Sequence, residues 1–251
     1  MKKILLVGSS HIACLKSAEK MVTSDYDVEL HFLSAAGPSL NCLILDDLGI
    51  VIKDRPVWKQ PTNKFQNTAN FDSSYDRLCS QFNAIAINGR VKYSQYNAIV
   101  LVGLRIGEWT RFTIRKEDYS QSFLGELFVE YIKETTLYLW VNTLRKVVVS
   151  SKVYVMLPPL INELAYKTTQ DKVAGNIPEK SDKSFFDTYG FINLGLFSMG
   201  ATYIPLPPEL FSDSFNTMKS DFKSKTCSDM AHLNNQGGEI WLKSLLETLY
   251  R

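Results

Sequence analysis

The chain has only three histidines, His11, His31 and His232, and two of them stand beside residues that could do chemistry with an imidazole. Ser9 and Ser10 precede His11 in "VGSSHIACL", and Asp229 precedes His232 in "CSDMAHLNNQGG". A serine hydroxyl is inert at neutral pH until a base takes its proton, and an imidazole oriented by a carboxylate is a suitable base. These residue types point to nucleophilic catalysis by a serine. His31 lies inside the apolar stretch "VELHFL" and reads as a core or sheet-face residue. His11 adjoins the serines, but side chains at adjacent positions of a turn usually diverge, so it reads as a turn residue supporting the site rather than as the base. His232 remains. Asp229, three residues earlier, is near enough in a tight turn to hold the Nδ1 proton and leave Nε2 facing a nucleophile.

Such a site needs a scaffold that brings the two chain ends together. Five short apolar runs read as strands: Ile4 to Val7, Val28 to Leu33, Ala98 to Val102, Val153 to Leu157 and Thr202 to Leu206. They are rich in β-branched residues and nearly continuous, which suits a parallel sheet covered on both faces. Between them, apolar residues recur at helical spacing: Ile12, Leu15, Ala18 and Val22; Leu124, Leu127, Phe128, Tyr131 and Ile132; Trp241, Leu242, Leu245, Leu246 and Leu249. Alternating strands and helices predict a doubly wound α/β domain. Ser9 and Ser10 then fall at the carboxyl end of the first strand, where ligands bind in such sheets, and before a helix whose positive end favours a developing anion.

Two regions break the alternation. Residues 46–95 show no strong helical pattern; "GIVIKD" and "NAIAINGRVKYSQY" read as short strands, the latter with an Asn-Gly turn, so this stretch is expected to be an insertion within a single domain spanning 1–251. It carries Trp58, Lys59, Lys64, Phe65, Arg77 and Arg90, which either stack on sugars and meet acidic groups or pack a small satellite core, the second being favoured. "TTQDKVAGNIPEKSDK" reads as a surface loop. Pro158, Pro159, Pro205, Pro207 and Pro208 stop strands and stiffen the loops that follow them.

Composition narrows the partners. With 251 residues, 45% of them hydrophobic and 22% charged, the chain can bury one substantial core. The net charge of +2 comes from scattered Lys and Arg with no basic block, so nucleic acid is not expected. The run Ile4 to Val7 is too short for a secretory leader, and no stretch approaches the roughly 20 apolar residues that span a bilayer. A cytoplasmic location is expected, without membrane partners. Cys14, Cys42, Cys79 and Cys227 form no CxxC pair and no zinc pattern, and read as packing thiols.

At this point the chain resembles the SGNH, or GDSL-like, hydrolases. Gly8-Ser9-Ser10-His11 looks like that family's first block, which maps the nucleophile to Ser10, with Ser9 replacing the usual aspartate. Asp229-Met230-Ala231-His232 matches the closing Asp-x-x-His, and "LNNQGG" before a helix strengthens the match. Gly37, after the second strand in "LSAAGPSL", resembles the glycine whose amide donates to the oxyanion, alongside the amide of Ser10. The third block departs from the pattern: Gly103-Leu104-Arg105-Ile106 stands where the family has Gly-x-Asn-Asp. Arg105 either supplies a charged donor in place of the asparagine, binds an anionic substrate, or pairs with Glu108 at the surface.

The resemblance implies a three-layer α/β/α sandwich with a mainly parallel, flavodoxin-like five-stranded sheet. It also implies a serine esterase that removes a small acyl group, acetyl by expectation, from a carbohydrate or related metabolite. Ser10 attacks, His232 accepts and returns the proton, Asp229 orients the ring, and neither metal nor organic cofactor is needed. Two rivals use the same scaffold: an O-acyltransferase that takes acetyl from a donor such as acetyl-CoA to a glycan, and a silent binding module. Oligomeric state is not legible in the sequence.

Overall fold

The computed structural model describes residues 1–35, 37–55, 68–104, 119–149, 152–158, 184–211, 218–224 and 232–250. The five apolar runs all enter one sheet. β1 (Lys2–Gly8) pairs in parallel with β2 (Val28–Ser34) on one side. β3 (Leu43–Asp46) and β4 (Gly49–Ile52) form a separate antiparallel hairpin. β5 (Ala98–Val102) pairs in parallel with the other side of β1, then β6 (Val153–Met156) with β5, and β7 (Thr202–Tyr203) with β6. The sheet order is therefore β2-β1-β5-β6-β7. β7 stops at Tyr203 rather than at Leu206. Ile204 still donates its N-H to Val155 at 2.9 Å, but Pro205 has no N-H to continue the ladder.

The near-continuous apolar character of the strands has a direct cause. Ile4 and Leu6 turn to one face of the sheet and Leu5 and Val7 to the other, as a period of two requires, and both faces are covered. On the first face lie α1 (Ile12–Val22), which buries Ile12, Leu15, Ala18 and Val22, and α6 (Asn235–Tyr250), which buries Trp241, Leu242, Leu245 and Leu246. On the second lie α2 (Thr68–Ile85), α3 (Gln121–Ile132), α4 (Thr136–Val147) and α5 (Ser184–Ser198). The result is a three-layer α/β/α sandwich around a five-stranded parallel sheet. Ser120 and Thr135 cap α3 and α4, each accepting from the amide three residues on.

Helix α2 departs from the expectation for residues 46–95. Leu78 and Phe82 are buried, with Tyr75 and Ile85 packed beside them, so the segment has an apolar face. Asp72, Ser73, Ser74, Asp76 and Ser80 intervene and dilute that stripe in the sequence, and tertiary burial stabilises what propensity alone leaves weak. The helix packs on β2 in the connection from β2 to β5. The Asn-Gly turn is present: Ile87 and Arg90 bridge it, with φ of 54° at Asn88 and 71° at Gly89. Arg90 ion-pairs with Asp46 and Arg77 is exposed; Trp58, Lys59, Lys64, Phe65 and the loop at 168–183 lie outside the described residues. Among the described residues, no helix is long and apolar enough to cross a membrane.

Candidate active site

The sheet order reverses at β1, whose chain continues to β2 on one side while β5 lies on the other, so a crevice is expected beyond the carboxyl ends of β1 and β5. Backbone bonds hold that edge together: the Ser9 amide donates to the Val102 carbonyl at 3.0 Å and the Ala35 amide to the Gly8 carbonyl at 3.1 Å. Ser9, Ser10 and His11 make the turn. The amides of Ile12 and Ala13 then donate back to the carbonyls of Ser9 and Ser10, starting α1 with its positive end at the turn.

The other half of the site comes from the opposite end of the chain. Lys223 and Leu233 pair as an antiparallel bridge, and the Ser224 amide donates to the His232 carbonyl at 2.9 Å. Asn234 locks the next step: its amide donates to the Phe222 carbonyl at 2.7 Å, and its Oδ1 accepts from the Gly237 amide at 2.9 Å as the N-cap of α6. His232 is thus fixed between a bridged strand and a capped helix. Gly238, one turn into α6, lies directly against the carbonyl of Cys14 in α1, where a Cβ would have no room. That close approach brings the starts of both helices, and the side chains just before them, to the same place.

There, Ser10 Oγ lies 2.7 Å from His232 Nε2 in a partly buried setting. With the ring proton on Nδ1, the serine O-H donates to Nε2, which is the arrangement for proton abstraction. The ring of His11 stacks on the ring of His232, with centroids 4.3 Å apart and planes 21° from parallel. Behind them stands Gly103, the first residue after β5. Its φ of +65° lies in the left-handed region, and a Cβ there would come within 2.5 Å of Ser9 Oγ and 2.7 Å of His11 Cδ2. Glycine is required on both counts. The Cys14 thiol donates to the His11 carbonyl at 3.0 Å, and burial pushes its pKa up to about 12, so it is no rival nucleophile.

Of the residues singled out in the sequence, Ser10 and His232 come together across 222 positions. Gly37 opens a 3-10 helix, Gly37–Cys42, shortly after β2, the strand beside β1. Asp229 and Arg105 lie outside the described residues. His31 sits elsewhere on β2, bonded through Nδ1 to the Tyr96 hydroxyl at 2.9 Å and through Nε2 to Glu29 at 2.7 Å. The expected divergence of adjacent side chains does not hold at Ser10 and His11: both converge on His232, the serine on a ring nitrogen and His11 on the ring face. Sequence reasoning passed over that contact and the supporting place of Gly103. The only signals were a histidine beside the serine and a glycine directly after a strand.

No protein-family profile matches the chain, and no curated protein matches it. Among solved structures, it is similar to the periplasmic domain of a lipopolysaccharide acetyltransferase from Salmonella ser. Paratyphi A. The identity is 11%, over 100% of this chain and 84% of that one, with a TM-score of 0.44. At that distance the chemistry has to be read from this chain's own residues.

Proposed function

We propose that this protein is a serine esterase of SGNH type, removing a small acyl group, acetyl in the simplest case, from an oxygen of a carbohydrate or related metabolite. The observation that carries the reading is the 2.7 Å approach of Ser10 Oγ to His232 Nε2 at the carboxyl edge of a parallel sheet, against the positive end of α1. A serine and an imidazole from opposite chain ends, each backed by its own helix start, have the spacing that nucleophilic catalysis requires.

In this reading Ser10 Oγ bonds to the acyl carbon while its proton passes to His232 Nε2. The tetrahedral oxyanion is held by the amides of Ser10 and Gly37, with Arg105 as a third donor in place of the family's asparagine. As the intermediate collapses, the proton passes to the departing alcohol oxygen. Water then enters, gives its proton to His232, and releases the acid with Ser10 restored. Asp229 accepts from Nδ1 and stabilises the imidazolium. The chemistry uses no metal and no organic cofactor.

Incubation with a fluorophosphonate probe, followed by intact-mass measurement, tests the nucleophile. A single adduct, located at Ser10 and lost in Ser10→Ala, is expected. An unlabelled wild-type protein would leave a binding module on this scaffold as the better reading. Mass analysis of a panel of O-acetylated sugars, with and without an acceptor glycan and acetyl-CoA, separates hydrolysis, the expected outcome, from transfer.

A further inference from the structure

We infer that His11 is a positioning residue for His232, acting through the stacked pair of imidazoles rather than through a proton of its own; this rests on the proposed Ser10–His232 chemistry. Three observations converge. The rings overlap face to face at 4.3 Å and 21°. His11 occupies the N-cap position of α1 directly after Ser10, so the helix start that carries the nucleophile also carries the stacked ring. Finally, Gly103 leaves open the volume in which the edge of the His11 ring and the Ser9 hydroxyl sit, at a backbone conformation that disfavours any other residue.

The stack has two chemical consequences. Before reaction it restricts rotation of the His232 ring, so that Nε2 stays on the Ser10 hydroxyl; a base must be in place before it is useful. During reaction, the Ser10 O-H bond breaks as the oxygen-acyl bond forms, and the proton's positive charge arrives on His232. A cation within about 6 Å of an aromatic face is attracted by it, and more strongly when partly desolvated. That attraction is absent while His232 is neutral, so the stack favours the transition state over the ground state. His11 touches neither the acyl carbon nor the departing oxygen in this scheme.

Three variants separate stacking from the other things a histidine can do. His11→Phe keeps an aromatic face and removes the ring nitrogens, His11→Asn keeps a polar group and removes the ring, and His11→Ala removes both. The first readout is the rate of Ser10 labelling by a fluorophosphonate, resolved into its maximal rate and its half-saturating probe concentration. A loss of roughly 5- to 30-fold in maximal rate, with little change in half-saturation, is expected for His11→Ala and His11→Asn, and near wild-type behaviour for His11→Phe.

The second readout needs no turnover: the ring protons of His232 should resonate upfield from the neighbouring ring current, move downfield in His11→Ala and His11→Asn, and return in His11→Phe. If His11→Asn labels as fast as wild type, or His11→Phe is as slow as His11→Ala, the positioning role is overturned while the Ser10–His232 reading stands. If the wild-type protein is not labelled at Ser10, both fall. Should His11→Ala fail to fold, the contrast between His11→Phe and His11→Asn decides alone.

Discussion

Gly238 in α6 and Cys14 in α1 meet with the glycine Cα side directly on the cysteine carbonyl, leaving no room for a methyl group. Ser10 precedes α1 by one residue beyond its N-cap, and His232 precedes the Asn234 cap of α6 by two. Spreading the helices at Gly238 should therefore spread the pair. Gly238→Ala is expected to lower stability by about 1–3 kcal/mol through overpacking, measured by chemical denaturation. It should also slow Ser10 labelling on the order of 100-fold at temperatures where the variant is still folded, because a misplacement near 1 Å is enough for that loss. Normal labelling in a destabilised protein would show that the helix contact sets stability without setting the site.

Gly103 predicts a different pattern. Alanine there pays for a left-handed φ of +65°, about 1–2 kcal/mol, and its methyl meets Ser9 Oγ and the His11 ring. Gly103→Ala should be destabilised by at least that amount. It should also show the His232 ring-proton shift of a lost stack while keeping both histidines, measured by nuclear magnetic resonance on ring-labelled protein.

The sheet was legible because buried parallel strands are marked by continuous apolar runs, and Ile4 to Val7 or Ala98 to Val102 admit few other readings. Helix α2 was not, because Leu78 and Phe82 are diluted by polar neighbours and only burial against the β2 side of the sheet makes that face count. At the site, Ser10 and His232 were legible as residue types at the right ends of the chain. The stack of His11 on His232 was not, because it depends on how α1 and α6 approach each other and on a glycine nearly 100 positions away. Asp229 and Arg105 lie outside the described residues, and the roles proposed for them are for mutagenesis to test.

The Asp46–Arg90 pair gives a prediction in pH. Hydrogen bonding to Arg90, with further bonds from the amides of Leu48 and Gly49 at 2.8 and 3.1 Å, holds the Asp46 carboxyl below its ordinary value. A lowered folded-state pKa means stability that is present above the unfolded value of about 3.9 and lost as pH falls through the folded value. Asp46→Asn keeps the carbonyl oxygen for the two amides and removes the charge. Its melting temperature should lie slightly below wild type at pH 7, the pair being partly exposed, and the gap should close in scans taken below about pH 4. A gap that stays constant into acid would mean that the charge contributes nothing.

The last prediction concerns whether Ser10, His232 and Asp229 act as one unit. If the proton of Ser10 has nowhere to go but His232 Nε2, removing either group disables the same step, and removing the second adds little. Ser10→Ala should abolish nearly all hydrolysis of an O-acetylated substrate, and Ser10→Ala with His232→Ala should be only slightly worse than Ser10→Ala alone. Ser9→Ala should keep most activity, because the Ser9 hydroxyl faces Gly103 and the His11 amide, 3.5 Å away, rather than His232. If Asp229 holds the Nδ1 proton as proposed, Asp229→Asn favours the wrong tautomer, so kcat should fall on the order of 10⁴-fold with KM nearly unchanged. Additive losses in the double variant would mean that His232 works independently of Ser10, and a larger loss from Ser9→Ala than from Ser10→Ala would move the nucleophile by one residue. Wild-type activity in Asp229→Asn would remove the carboxylate from the unit and leave a Ser-His pair.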